Sequence, residues 1–432
     1  MTVALTRRHL AGLAATLAGG CAQRRRRPPP GEIHLWFTYG GRNRTVLLDL
    51  VDRFHAAQAQ VRVKATFQGD YFEGLVKLRT GLFVGAAPSV THVIGEVVPY
   101  LAEAGVLARL DEVGEEVVDD LDPALAQSGT FVGGDGRPLW ALPFNRSTPV
   151  AFFNRAHFAE AGRTTAPATW SEMREVARTL TRRRGPRGPT ARWGFECPVA
   201  WWFWVALVGQ AGGQIVETDG RVSLGDAAGV DAIAHWQAMI HEDRSMKPPP
   251  GRDYNAWEAT NRDFLAGRVS MIWTSTAFLS YLTEHAPFPL GVAPLPRRDR
   301  YSVPTGGTFF VVPAVVRGPE REAVLTFLRF MMSPEVSNHW ATQTGYMPVS
   351  RRGRRRLRDE GFFARHPNFD VTLQQLTYAA PWPWASDLFR IQREAVQPRL
   401  ERAVLAHGDA AATLSEARDA LHTLGPEERR SP

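Results

Sequence analysis

A polar run, Asn145-Arg146-Ser147-Thr148, closed by Pro149, lies between two apolar stretches of strand length, residues 139–142 and 150–153. Pro149 has no backbone N–H and biases Thr148 toward extended backbone, so the run reads as a crossing between strands, not as a helix. In a chain built as two lobes such a crossing passes the cleft, where the Ser147 hydroxyl would face a held solute; an ordinary hairpin is the plainer alternative. Similar groups recur along the chain. Tyr71 and Glu96 each follow a strand, and in α/β sheets ligands bind beyond the carboxyl ends of strands. Ser275 precedes a helix, where free N–H groups favour an anion, although a simple N-cap fits equally well. The Gly306-Gly307 pair beside a strand permits close backbone approach or a turn. Trp201, Trp202 and Trp204 cluster around Phe203, as core or as flat, partly polar pocket wall. Arg390 and Arg393 ride a long terminal helix. The chemistry on offer is recognition. HExxH, GxSxG and P-loop patterns are absent, the histidines lie scattered without metal spacing, and no second carboxylate is placed to work with Glu96. These features speak against a hydrolase.

The elements that must position these residues alternate. Strands are expected at 32–37, 61–67 and 89–94, with helices at 45–57, 72–79 and 97–104 between and after them. That order implies an α/β lobe with a largely parallel sheet. Further on, Thr169 and Glu172 form a capping box that opens a helix. Helices are expected at 226–242 and 255–267, a strand at 269–273, and paired helices at 320–332 and 334–343. Gly345 stands at the stop of the last, and a terminal helix spans 388–406.

At 432 residues the chain exceeds what one core usually supports, so two lobes are expected. The formal charge is +7. Six arginines (Arg7, Arg8 and the run 24–27) account for nearly all of it, since 51 basic residues less these six leave 45 against 44 acidic ones. The near-neutral body has no basic stripe for nucleic acid. The basic head belongs to an expected export signal at 1–20, with paired arginines, an apolar run and small residues before Cys21. The Leu17-Ala18-Gly19-Gly20-Cys21 segment resembles a bacterial lipobox, with Ala18 where leucine is usual. Cys21 would then carry lipid, and 21–31 would be a tether whose arginines could meet anionic headgroups. Cys197 is left alone, with no disulfide partner.

Over residues 33–406 the chain resembles the extracellular solute-binding proteins of ABC importers, in the maltose-binding-like family, and within it the glycerol-3-phosphate binders. The resemblance rests on Gln68-Gly69-Asp70-Tyr71, Pro143-Phe144-Asn145-Arg146-Ser147-Thr148-Pro149, the Gly306-Gly307 pair and Gln343-Thr344-Gly345-Tyr346-Met347-Pro348. It implies an α/β, two-lobed, type II periplasmic-binding-protein fold with a ligand cleft between lobes, one from 32–143 plus 271–333, the other from 144–270 plus 334–432. It also implies eight ligand contacts: Tyr71, Glu96, Ser147, Trp201, Ser275, Gly307, Tyr346 and Arg393, with Arg390 as the alternative arginine. A guanidinium fork suits phosphate, and an acceptor-only carboxylate suits glycerol hydroxyls. The expected ligand is sn-glycerol-3-phosphate; glycerophosphodiesters such as glycerophosphocholine, or a neutral sugar, are the alternatives. By the same resemblance the protein is a monomer without catalysis, cofactor, metal or nucleic-acid partner, exported and held at the membrane by its lipid. It would hand its ligand to permease subunits driven by an ATPase.

Overall fold

The computed structural model describes residues 28–126, 138–185, 188–380 and 382–423; the export signal, Cys21 and most of the tether lie outside the described residues. Strands β1 (Glu32–Phe37), β2 (Arg62–Phe67), β3 (Val90–Ile94) and β4 (Leu142–Ser147) share one sheet with the late strand β12 (Gly306–Val311), in the order β2-β1-β3-β12-β4. The second sheet takes β5 (Pro149–Asn154), β6 (Arg182–Arg183), β7 (Thr190–Glu196), β9 (Val269–Ser275) and β10 (Leu290–Ala293), in the order β10-β5-β9-β7-β6. Short β8 (Met246–Lys247) pairs with β7, and β11 (Val303–Pro304) pairs with β13 (Ala379–Ala380). Two α/β lobes result, each with its own core.

Sequence pattern explains the layers. β1 alternates, burying Ile33, Leu35 and Phe37 against the helix Gly41–Ala57, whose Val46, Leu47, Leu50, Val51 and Phe54 form its apolar stripe. β4, β5 and β9 are buried along their whole length, as strands covered on both faces must be, and so show no alternation. Only part of the first sheet is parallel: β1 runs parallel to β2 and β3, but β12 is antiparallel to both β3 and β4. The reason is topological. β4 ends at the cleft, whereas β12 starts there, having come from the other lobe.

The chain crosses between lobes at Thr148, at Thr305 and again beyond the helix Arg351–Asp359, whose Arg352 and Arg354 still pair with Asp120 and Asp122 of the first lobe. The expected lobe boundaries therefore move. β9 and β10 sit in the second sheet, so the stretch from 271 to 293 belongs to the second lobe. The helix Pro334–Thr344 packs Val336 and Trp340 into the first lobe's core. An apolar run such as β9 suits either core, and only its pairing with β5 assigns it. The first crossing also differs from the expected elbow, because Asn145, Arg146 and Ser147 are the last residues of β4 itself, leaving Thr148 as the crossing. Thr276 and Gln375 of the second lobe fasten it. Thr148 N–H donates to Thr276 Oγ1 (3.3 Å), and Gln375 Nε2 donates to Thr148 Oγ1 (2.9 Å) and to the Pro149 carbonyl (2.7 Å).

The terminal helix runs from Leu388 to Ala406, as expected, but its second turn is a six-residue π-helical stretch, Ile391–Val396, that carries Arg393. Pro398 explains the detour. It cannot donate to the carbonyl of Glu394, so the helix widens there. Arg399 Nη1 caps the loosened Glu394 and Ala395 carbonyls at 3.1 and 2.9 Å.

Candidate functional site

Tyr71 is the first residue of the helix Tyr71–Phe83, and a complete capping box fixes it. Asp70 Oδ1 accepts from the N–H groups of Phe72 (2.8 Å) and Glu73 (2.9 Å), and Glu73 Oε2 accepts from Asp70 N–H (3.2 Å). On the opposite flank, Gly345 closes the helix Pro334–Thr344 at φ 106°, and Tyr346 follows, stacked on Trp340 with ring centroids 5.6 Å apart. These two tyrosines meet at Asn145, whose Nδ2 donates to Tyr71 Oη (3.2 Å) and Tyr346 Oη (3.4 Å).

Hydrogen-bond accounting settles which way this cluster points. The backbone N–H of Thr38 donates to His92 Nε2 (2.9 Å), so the ring proton sits on Nδ1 and donates to Thr308 Oγ1 (2.7 Å). Burial pushes His92 down to about 3, so it stays neutral. Thr308 then gives both its hydroxyl proton and its backbone N–H (2.7 Å) to Asn145 Oδ1, which turns the amide nitrogen toward the tyrosines. The two hydroxyls lie close enough to influence each other. Each accepts from Asn145 and keeps its own proton to donate. Tyr71, the less buried of the two, faces the cleft.

Arg146, next in β4, is completely buried. Its guanidinium donates to the carbonyls of Leu125 (Nε, 3.2 Å) and Gly307 (Nη1, 3.0 Å) and to Thr305 Oγ1 (Nη2, 2.7 Å), and lies 4.2 Å from the Phe309 ring centre. Glu96 sits in the turn after β3, also buried. Burial pushes its carboxyl up to about 7, against the lowering effects of its own N–H and of Arg146. Burial likewise draws Arg146 down to about 9, with Glu96, Tyr71 and Tyr346 pulling upward. At neutral pH it remains a cation.

The glycine pair serves two separate packing needs. Gly307 has φ +89°, and a Cβ there would fall 1.7 Å from the Asn145 carbonyl oxygen; a Cβ on Gly306 would strike the Trp202 ring at 2.6 Å. Ser147 pairs with Gly306, and Ser275 pairs with Pro149. Ser275 caps the turn Thr276–Phe278, its Oγ accepting from Ala277 N–H (3.1 Å), which leaves the hydroxyl proton to donate.

Trp201 does not reach this cluster. It is 1% exposed, stacked 6.0 Å from Trp382 and set among the second lobe's core residues. Its neighbour Trp202 takes the cleft position, half-buried, with Nε1 3.4 Å from the Thr305 carbonyl and its ring 5.5 Å from that of Trp257. The helix Trp201–Gln210 turns by about 100° per residue, so a one-residue shift decides which indole is core and which is wall.

Arg393 lies across the cleft, its guanidinium carbon 3.9 Å from the centre of the Phe72 ring, beside Tyr71. Phe389, one turn earlier, also contacts Phe72, at 6.0 Å, and Trp384 Nε1 donates to Glu103 Oε1 at 3.1 Å. Arg390 instead lies near its own helix's acids, Asp387 (3.6 Å) and Glu394 (3.7 Å). Both stand where this helix meets the first lobe, Arg393 over Phe72 and the turn Leu388–Arg390 against Gly95–Val97.

Tyr71, Glu96, Gly307 and Tyr346 are thus gathered on the first lobe, with Ser147 and Ser275 at the crossing and Arg393 opposite. Sequence reading assigned no contact role to Asn145, Arg146 and Trp202, which stood only as parts of the polar run and the aromatic cluster, or to His92. Only their partners give Asn145 and His92 meaning.

A family model described as bacterial extracellular solute-binding protein matches residues 49–353. The chain belongs to that family. Extracellular solute-binding proteins bind small molecules for ABC permease and ATPase subunits, which places this one outside the cytoplasm as the solute-binding component of an importer. The chain is 24% identical over 396 residues to the sn-glycerol-3-phosphate-binding periplasmic protein UgpB of Escherichia coli K12, covering 87% of each chain. In fold it is similar to UgpB from Mycobacterium tuberculosis, solved in complex with glycerophosphocholine (TM-score 0.78, 23% identity, 92% of this chain and 98% of that one). It is similar as well to the cyclic alpha-maltosyl-1,6-maltose binding protein of Arthrobacter globiformis (TM-score 0.74, 22% identity, 92% and 99%).

Proposed function

We propose that this solute-binding protein captures sn-glycerol-3-phosphate by closing its lobes around it. The observation that carries the reading is Arg393, set against Phe72 beside the Tyr71–Tyr346 pair, whose hydroxyls accept from Asn145 and keep their own protons to donate. Guanidinium and phenol together offer donors to phosphate oxygens. Ser275 and Ser147 add hydroxyls at the crossing, and Gly307 holds the strand close to Asn145. Glu96 accepts from the glycerol hydroxyls and, being acidic, turns the phosphate toward Arg393. Likeness to the glycerol-3-phosphate-binding relatives supports the same ligand.

A second reading is a glycerophosphodiester such as glycerophosphocholine. The aromatic wall favours it: the Trp202 and Trp257 rings lie tilted against each other at 41°, and Tyr254, one turn before Trp257, is close enough to Tyr71 for their charges to interact. Such a surface suits a quaternary ammonium. With Trp201 in the core, that residue no longer limits ligand size. Calorimetric titration with glycerol-3-phosphate, glycerophosphocholine and maltose in parallel decides between them. Saturable 1:1 binding with glycerol-3-phosphate tightest is expected; tighter glycerophosphocholine moves the function to diesters, and binding of maltose alone overturns the reading.

A further inference from the structure

Arg146 is the charged group that the proposed contacts leave unused. Its guanidinium is wholly enclosed and, among the described residues, is hydrogen-bonded to no carboxylate; its partners are two carbonyls and a threonine hydroxyl. It also stands at the first two crossings between the lobes and against the segment that follows Tyr346. Thr148 follows it by two residues, Thr305 Oγ1 and the Gly307 carbonyl bind its Nη atoms, and its own carbonyl accepts from Met347 N–H at 2.8 Å. A buried cation without a bonded counter-charge is costly, and a fold keeps one only where something offsets it. Phe309 supplies a ring face at 4.2 Å, which offsets part. The groups its charge reaches are Glu96, Tyr71 and Tyr346, three of the residues around the proposed ligand position.

We propose that Arg146 is a specificity-determining residue that acts through space, supplying from inside the first lobe a positive charge that, with Arg393 of the second lobe, selects a phosphomonoester dianion over a zwitterionic diester or a neutral sugar. It does not touch the ligand, because its guanidinium is wholly enclosed. A dianion between a cation on each lobe is attracted to both, so ligand charge itself favours closure. A zwitterion with no net charge gains much less from the same field. This inference rests on the proposed phosphate ligand and deepens it.

The test compares wild type, R146Q and R146K by calorimetry with glycerol-3-phosphate and glycerophosphocholine, with thermal melts to confirm folding. For R146Q the expected result is at least a tenfold loss for glycerol-3-phosphate and less than threefold for glycerophosphocholine, while R146K keeps the wild-type ranking at pH 7. Should R146Q not fold, R146K carries the test alone. A buried ammonium sheds its proton more readily than a guanidinium, so between pH 7 and 8.5 the preference of R146K for the monoester should fall more steeply than that of wild type, which contains the same Glu96, Tyr71 and Tyr346. Equal weakening of both ligands in R146Q, or parallel pH profiles for R146K and wild type, would reduce Arg146 to a structural brace and overturn the inference. If wild type binds neither phosphate, it is the proposed function that has failed.

Discussion

The two walls of the cleft are built from different chemistry. On the first lobe nearly every polar atom is assigned: Thr38, His92, Thr308 and Asn145 form a chain of hydrogen bonds that ends on two tyrosine hydroxyls, with Arg146 enclosed beside them. On the second lobe, Trp202 and Trp257 present mostly ring faces, backed by the buried Phe203, and Arg393 stands on a widened helical turn. The first wall is preset, since its donors are aimed before a ligand arrives; the second offers apolar surface and one arginine in a locally loosened turn. Identity should therefore be set mainly by the first wall, and size and grip by the second.

Substitutions can sharpen or break that contrast. The largest effect is expected where a wall residue turns out to be core: Trp201→Ala should cost about 3–5 kcal/mol of stability in a urea melt while leaving the ranking of ligands intact. Trp202→Leu should do the reverse, changing the ranking of glycerophosphocholine against glycerol-3-phosphate with little change in melting. A shifted ranking from Trp201 and none from Trp202 would exchange their roles. Next, Arg393→Ala should weaken glycerol-3-phosphate by about 2–5 kcal/mol, chiefly through faster dissociation in a stopped-flow chase. Arg390→Ala should do little, and an equal loss there would dissolve the assignment.

Asn145→Ala strips the relay of its last link. It leaves Thr308 and the tyrosine pair short of a partner, so about 1–3 kcal/mol of stability should be lost, together with ligand affinity; unchanged affinity would mean that the preset hydroxyls are not used. The smallest effect is a pH slope. The Glu96 carboxyl sits up at about 7, above its ordinary 4.5, so between those values the folded protein holds more of its proton than the unfolded chain does. Stability contributed by this group is accordingly present below pH 4.5 and declines as pH rises through 7. Affinity for an anionic ligand should decline over the same upper limb, from pH 6.5 to 8.5, by up to about tenfold, and Glu96→Gln should flatten the decline. A slope that survives in E96Q would place the titrating group elsewhere.

Much of the first wall was legible in the sequence because its residues sit at element ends with local signals. Tyr71 was read from its place after a strand and before the helix expected at 72–79, and Gly345 announces the stop before Tyr346. The strand at 32–37 and the terminal helix over 388–406 were readable from apolar spacing alone. Long-range pairing was not readable. Nothing local tells β9 to join β5, so the lobe boundary was drawn at 271, inside that strand. Nor does any local pattern separate Trp201 from Trp202 when four aromatic residues run together. Arg146 was visible as a letter in the elbow, but its importance lies in being buried among segments, at 305–307 and at 347, that are distant in sequence.

The most direct test of a preset polar wall facing an adaptable aromatic one is a crystal structure of the protein with glycerol-3-phosphate bound. The account predicts phosphate oxygens within about 2.7–2.9 Å of the Arg393 guanidinium and within hydrogen-bond reach of Tyr71 Oη, glycerol hydroxyls on Glu96, and Asn145, His92 and Thr308 paired as they are here. A phosphate held away from Arg393, or a ligand stacked on Trp202 and Trp257 without contact to the tyrosine pair, would contradict it.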